Sequence, residues 1–328
     1  MNNPLPESFC SALQTLEKYP PAPALQPARI EAFLQIGRFL EESIRPGAPL
    51  DLVLNPHPLW GMIARRLDTA LSEEEKNRRP SGGWQLRQMY NSGVLLRKQG
   101  ITVGIDLLPV LRTYGWPDTH NLTQRTAALL DMLLITHRHP DHYDRALVQA
   151  CLALGKPVCM PEDLCTEWTK TPNLHPFRHE TAVKLCSLQI TGRRALHVWR
   201  ETADELPLIY YEINDPDGHT LLFAGDADYT KDFTCTTGRT IDTLFLPWRN
   251  PNNRFEDGSP VQTGTTADAL QIAIDRLQPR LIILEHYAKL EHIHQFYPAS
   301  YDLATSLKKH FARPLEWLFW GESMLLIP

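Results

Sequence analysis

No run in this 328-residue chain approaches the ~18 consecutive apolar residues that a membrane-spanning helix needs. The opening residues, MNNPLPESFC, lack the basic segment and apolar core of an export signal, so the cytoplasm is the expected compartment. The six cysteines, Cys10, Cys151, Cys159, Cys165, Cys186 and Cys235, form no CxxC pair and no regular spacing, and read as reduced, mostly buried thiols. An excess of positive charge is lacking as well. Thirty-three basic residues face 38 acidic ones, a formal charge of −5, which disfavours a dedicated nucleic-acid binder. GxSxG, P-loop and Rossmann glycine patterns are absent, leaving serine hydrolases and nucleotide-binding folds without support. There is no internal repeat and no low-complexity tract. What is left, at 43% hydrophobic and 22% charged residues, is a globular chain of one large domain or two moderate ones.

The first eighty or so residues differ in texture from the rest. Segments Glu7 to Lys18, Pro27 to Ile44 and Trp60 to Glu75 carry apolar residues at helical spacing, and YPPAPALQP separates the first two. The polar run SEEEKNRRPSGG then marks a boundary, giving a helical extension over 1–83 and a second region over 84–328. From Trp84 onward short strands and turns dominate. GVLLRK and ITVGID form a hairpin about Gln99-Gly100, and LIYYEIN and TLLFAGD flank Asp215-Pro216-Asp217-Gly218. VKLCSLQI and RRALHVW suggest another hairpin, turning at Thr191-Gly192. Helices are expected near 122–130, 142–154, 266–277 and 300–310, with strands at MLLIT, 157–160, TLFLPW, RLIILEH and on either side of Gly321-Glu322. Meanders mixed with helices indicate α/β layers with mixed sheets.

The chemistry concentrates in Thr136-His137-Arg138-His139-Pro140-Asp141-His142, directly after the strand MLLIT. In extended chain, residues two apart project to the same side, so His137 and His139 can grip one ion. Pro140 redirects the chain, and Asp141 and His142 then face the same pocket from the start of a helix. Imidazole with carboxylate suits Zn²⁺, Mn²⁺ or Fe.

This string resembles the HxHxDH motif of the metallo-β-lactamase superfamily. The resemblance implies a four-layer αββα sandwich, an α/β fold, here with an N-terminal helical extension. It also implies further ligands in a fixed order: a histidine closing a later strand, an aspartate after a strand and glycine, and a last histidine near the C-terminus. His197 in RRALHVW, Asp226 in LLFAGDADY and His286 in RLIILEHY stand at those places, with Asp228, His292 and His294 as competitors. The implied arrangement puts His137, His139 and His197 on one metal and Asp141, His142 and His286 on the other, with Asp226 between them. Two divalent ions follow, zinc first and Mn²⁺ or Fe as alternatives; they would make hydroxide from a bridging water. Flavodiiron relatives carry glutamate where His139 stands, which argues against redox iron. The nuclease branch's extra domain finds no room after His286.

The terminal LEWLFWGESMLLIP and the opening GVLLRKQGITVGID look like hairpins of the branch containing L-ascorbate-6-phosphate lactonase, with Asp106 beneath the metals. That branch often has a histidine where Tyr90-Asn91-Ser92 stand here, which puts the lactonase's own substrate in doubt. Tyr90 and Asn91 are read as substrate-facing, as are Arg249 and Asn250 of WRNPNNRF, a loop whose Asn253 and Arg254 complete a set suited to phosphate or carboxylate. Lys289 and Arg138 read as surface charge. Asp141 serves as ligand and as catalytic acid–base, with Asp144 as an alternative proton carrier. The expected function is metal-dependent hydrolysis of a small, anionic phosphoester, phosphodiester or lactone. Two other readings stand beside it. One is a phospholipid-directed phosphodiesterase resembling N-acyl-phosphatidylethanolamine hydrolase, with Trp60, Met62, Ile63 and Leu67 touching lipid; the other is a non-catalytic metal-binding protein. Packing of that stripe on the main domain, or in a homodimer, is preferred to membrane contact.

Overall fold

The structure is a computed structural model. It describes residues 5–44, 58–77, 82–112, 115–118, 120–168, 171–197, 206–230, 233–235, 239–248, 254–256, 259–261, 266–294 and 299–326, with only the backbone of 254–256 and 259–261. Two seven-stranded mixed sheets form its centre. The first has the order β16-β1-β2-β3-β4-β5-β6 and the second β15-β14-β11-β10-β9-β8-β7. In the first sheet these strands are β1 (Gln85–Gln88), β2 (Val94–Lys98), β3 (Ile101–Ile105), β4 (Met132–Leu134), β5 (Val158–Pro161), β6 (Leu174–Phe177) and β16 (Ser323–Leu325). The second comprises β7 (Thr181–Leu185), β8 (Leu188–Ala195), β9 (Leu208–Asn214), β10 (Thr220–Phe223), β11 (Thr243–Pro247), β14 (Leu281–Glu285) and β15 (Leu315–Glu316). A separate two-stranded hairpin pairs β12 (Arg254–Glu256) with β13 (Ser259–Val261).

The central strands β4, β11 and β14 are apolar almost throughout because both of their faces are covered. On β4, Met132 and Leu134 point into the core between the sheets while Leu133 points outward beneath the helices. Phe245 on β11 and Ile283 on β14 face inward in the same way, and their neighbours Leu244, Leu246, Ile282 and Leu284 face out. Helices cover these outer faces: α4 (Leu122–Leu129) and α5 (Arg145–Ala153) on one sheet, α7 (Thr266–Leu277) and α9 (Tyr301–His310) on the other. Short α6 (Glu162–Cys165) and α8 (Leu290–His294) sit in connections. The result is an αββα sandwich.

Among the described residues three helices precede the sheets: α1 (Glu7–Lys18), α2 (Pro27–Ser43) and α3 (Pro58–Lys76). They are tied to the C-terminal segment. Phe33 packs on Tyr301 and Trp317, and the buried Arg29 forms a two-pronged ion pair with Glu322 at 2.7 and 2.6 Å. Trp60, Met62, Ile63 and Leu67 are 1%, 5%, 1% and 2% exposed, so the stripe on α3 packs inward and presents nothing to a lipid surface. Among the described residues no helix is long and apolar enough to cross a membrane.

Three sequence expectations need correction. The turn between β7 and β8 lies at Cys186-Ser187, both left-handed at φ 48° and 71°, and Thr191-Gly192 lie within β8. Gly192 is there for space, since Phe177 and Ile209 leave no room for a Cβ. The strands flanking Gly321-Glu322 are not a hairpin: β15 pairs with β14 and β16 with β1, so the segment between crosses from one sheet to the other. Finally, all six cysteines are free, but only Cys151 and Cys159 are buried.

Candidate metal centre

Parallel pairing aligns β3 with β4 in one sheet and β10, β11 and β14 in the other, and the segments that leave the C-terminal ends of β3, β4, β10 and β14 meet at one edge of the sandwich. Asp106 leaves β3, His137 follows β4, Asp226 follows β10 and His286 follows β14. Each turn is held locally. After His137 the chain folds back, with the amides of His142 and Tyr143 donating to the carbonyl of His139 at 2.9 and 3.0 Å. Asp144 then caps α5, its Oδ1 accepting from the amides of Ala146 and Leu147. Gly225 has φ +55°, and a Cβ there would lie 2.9 Å from Thr136, so only glycine brings the end of β10 against the histidine loop. An isolated bridge between His197 and Ala227 sets His197 beside Asp226. Among the described residues at this edge, the non-glycine residues Asn91, Asp106, His286 and Ala288 also have positive φ. Backbone strain of this kind persists where surrounding structure over-determines it.

These turns assemble two overlapping groups able to hold a metal ion. His137, His139, His197 and Asp226 form one, and Asp141, His142, Asp226 and His286 the other, with each group's donor atoms within 4.8 Å of one another. Asp226 belongs to both. Its Oδ1 lies 3.1 Å from His286 Nε2, while Oδ2 lies 3.5 Å from both His142 Nε2 and His197 Nε2 and 3.9 Å from His137 Nε2. One carboxylate thus addresses both groups. Of the competing residues, Asp228 turns away to accept from the amide and hydroxyl of Thr230, and His292 stacks on His286 at 6.0 Å.

The electrostatics fit a cation. Burial, with the neighbouring imidazoles, keeps His137 neutral far into acid, and burial pushes His139 down to about 4. Burial lowers His286 too, so these rings carry free lone pairs at neutral pH. Burial would likewise raise Asp141 and Asp226, but His142 and Lys289 around the first, and His286 and His142 around the second, hold both well below the usual carboxylate range. His142 is the exception. Burial disfavours its charge, yet Asp141, Asp226 and Asp106 raise its pKa well above the ordinary value. In the metal-free chain a proton on His142 therefore supplies positive charge where a bound cation would supply more. His137 Nε2 is fully buried and has no hydrogen-bond partner among the described residues, which fits a metal-ligating nitrogen. Neutral imidazoles with ionised carboxylates and no thiolate suit zinc-like divalent ions.

Residues around the groups orient them. Asp106 is fully buried and accepts from the amide (2.8 Å) and hydroxyl (2.6 Å) of Thr136, and its Oδ2 lies 2.7 Å from His142 Nδ1, leaving His142 Nε2 to face Asp226. Asn91 Nδ2 and Lys289 Nζ both donate to Asp141 Oδ2, at 3.1 and 2.7 Å. Lys289 is therefore no surface charge: its side chain is 11% exposed. The only clue in the sequence was its place three residues after His286. Tyr90 is fully buried and its hydroxyl donates to Glu291 Oε2 at 3.1 Å, so it holds α8 and has no face for a substrate. Burial pushes the Glu291 carboxyl up to about 7. Arg138 lies at the surface, paired with Asp163. Arg249, Asn250 and Asn253 lie outside the described residues, as does the side chain of Arg254.

Residues 85–286, well over half of the chain, match the beta-lactamase superfamily domain. The chain belongs to the metallo-β-lactamase superfamily. No curated protein sequence matches it. Its fold is similar to CmlA, a diiron β-hydroxylase from Streptomyces venezuelae (15% identity, 74% of this chain, TM-score 0.51), although this chain spans only 54% of CmlA's length. It is also similar to Igni18, a metallo hydrolase from Ignicoccus hospitalis (16% identity, 74% of this chain and 97% of that one, TM-score 0.52). A third similar structure is an isothiocyanate hydrolase from Delia radicum gut bacteria (17% identity, 73% and 98%, TM-score 0.51). At these identities the likeness concerns the fold alone.

Proposed function

We propose that this superfamily member is a dinuclear metal-dependent hydrolase cleaving a small anionic phosphoester, phosphodiester or lactone, related to the ascorbate-6-phosphate lactonase branch. The observation that carries the reading is the sharing of Asp226 between two donor groups. His137, His139 and His197 would hold one ion and Asp141, His142 and His286 the other, with Asp226 joining them. Zinc is the proposed metal, and iron its rival, because CmlA is a diiron protein. When bound, such a pair supplies Lewis acidity at the scissile centre and a nucleophile drawn from water near neutral pH.

The chain's own residues would do the rest. Asp141, kept ionised by His142 and Lys289, can accept a hydrogen bond from the attacking water and orient it, and Lys289 can steady negative charge on the substrate. Asn91 keeps the Asp141 carboxylate in place. Arg249 and Asn250 are proposed to grip the substrate's anionic group. We also read residues 1–83 as a helical extension attached to a hydrolase domain over 84–328, and the cytoplasm as its compartment.

The test is a panel of p-nitrophenyl phosphate, bis-p-nitrophenyl phosphate and a simple lactone offered to zinc-loaded protein. Turnover of one class, abolished by Asp226→Ala along with metal retention while the circular dichroism is unchanged, supports the reading. No turnover of any class with two zinc ions bound would overturn it.

A further inference from the structure

Asn91 reaches the second donor group from the turn between β1 and β2. That turn is fixed locally: the Gly93 amide donates to the Tyr90 carbonyl at 3.0 Å and Gln88 Nε2 to the Asn91 carbonyl at 2.7 Å. At φ +56° Asn91 takes a left-handed backbone that asparagine tolerates, and the residue is 2% exposed. Its Nδ2 lies 3.1 Å from Asp141 Oδ2 and 3.4 Å from His286 Nε2, and those two atoms are 3.5 Å apart. The triangle is nearly equilateral. Its edges match those within the donor group itself, 3.4 Å from His142 Nε2 to Asp141 Oδ2 and 3.1 Å from His286 Nε2 to Asp226 Oδ1. Atoms each ~2.1 Å from one ion are ~3.0 Å apart in an octahedral shell and ~3.4 Å apart in a tetrahedral one, so the end of the Asn91 amide stands at the spacing of a ligand.

The orientation of the amide suits the metal-free chain. Its NH₂ faces three acceptors, since the Asp141 carbonyl lies 3.3 Å away as well, and so stands where positive charge is wanted. Oδ1, on the other side, is buried with no hydrogen-bond partner among the described residues. With a cation bound the preference reverses. The lone pairs of Asp141 and His286 are then engaged, the N–H dipole is repelled and a carbonyl oxygen is attracted. The planar amide has nearly the same outline both ways, so a half-turn about Cβ–Cγ exchanges its two end atoms without moving the backbone.

We propose that Asn91 is a ligand of the second ion, its amide turned to set Oδ1 beside Asp141 Oδ2 and His286 Nε2. This rests on the two-ion reading. It gives the second group five donor residues, Asn91 with Asp141, His142, Asp226 and His286, against four in the first.

Zinc binding, without turnover, tests it. In competition with a chromophoric chelator, Asn91→Gly, which suits the left-handed backbone, should lose at least about tenfold in affinity at one of two sites, as even groups that only orient a ligand do. Asn91→Asp supplies an oxygen at the same place and should hold zinc at least as tightly as wild type. A side chain that only donates to Asp141 predicts the reverse, since the carboxylate of Asn91→Asp would face Asp141 with no hydrogen between them. A crystal of the wild-type protein with zinc, located by its anomalous signal, reads the contact whether or not the variants fold. The Asn91 amide oxygen is expected ~2.0–2.2 Å from the second zinc. Wild-type affinity at both sites in Asn91→Gly, weaker binding by Asn91→Asp than by wild type, or an amide more than ~3 Å from the second zinc would overturn the proposal. Wild type holding a single zinc would overturn the two-ion reading and this proposal with it.

Discussion

Replacing Asp106 by Asn perturbs the candidate centre without touching a proposed ligand. The left-handed backbone at φ +47° is one that asparagine accepts, and the shapes are matched, so the fold should survive. The hydrogen bonds cannot be rebuilt. Oδ1 accepts from the Thr136 amide, while Oδ2 serves the Thr136 hydroxyl and His142 Nδ1. If the amide nitrogen takes the Oδ2 place, it confronts His142 Nδ1–H, and the ring must move its hydrogen to Nε2, the atom facing Asp226. If it takes the Oδ1 place, two N–H donors collide at Thr136. Loss of one hydrogen bond to a charged group is worth ~1.5–3 kcal/mol. At ~1.4 kcal/mol per decade that is roughly ten- to hundredfold in affinity, the usual size of effect for a residue orienting a metal ligand. Competition with a chromophoric chelator should show this loss at one of two sites and near-normal affinity at the other. Wild-type affinity at both sites in folded Asp106→Asn would refute the argument that Asp106 sets the His142 tautomer.

Glu291 should make metal-free stability depend on pH. Its folded pKa of about 7 lies above the ordinary value of 4.5 because burial disfavours the charge. Its contribution is therefore complete below about pH 4.5 and is lost as pH rises toward 7. The gap sets a ceiling near ~3 kcal/mol, which partial exposure discounts to ~1–2 kcal/mol. Tm of Glu291→Gln should thus gain on wild type between pH 5 and pH 8, and a constant difference would contradict the assignment. Arg29→Met leaves Glu322 buried and uncompensated, costing ~3–5 kcal/mol in urea unfolding, while the added Glu322→Gln should recover much of it. Metal content should be the same in both variants, because this pair ties α2 to the C-terminal segment and touches no donor group.

The legible parts were those whose cause is local. HxHxDH is a contiguous string, and Gln99-Gly100 turns its hairpin through residues that suit left-handed backbone. Gly192 was misread for the complementary reason: a glycine needed because Phe177 presses on it looks, in sequence, like one needed to turn. The strands about Gly321 were misassigned because their partners, β14 and β1, lie far away along the chain. Asn91, Lys289 and Glu291 each act through residues distant in sequence, and no spacing rule connects position 91 or 289 to Asp141. Asp106 was visible as a strand-end acid, but its hold on His142 and Thr136 appears only once β3 and β4 are paired.

The central claim is that Asp226 joins two ions, and counting metal tests it most directly. Protein saturated with zinc, freed of loose metal by gel filtration and assayed by elemental analysis, should carry about two equivalents per chain, because seven donor residues exceed what one tetrahedral ion uses. Asp226→Ala should fall to one equivalent or fewer. Wild-type protein retaining less than one equivalent of zinc, manganese or iron, or Asp226→Ala retaining two, would contradict the account.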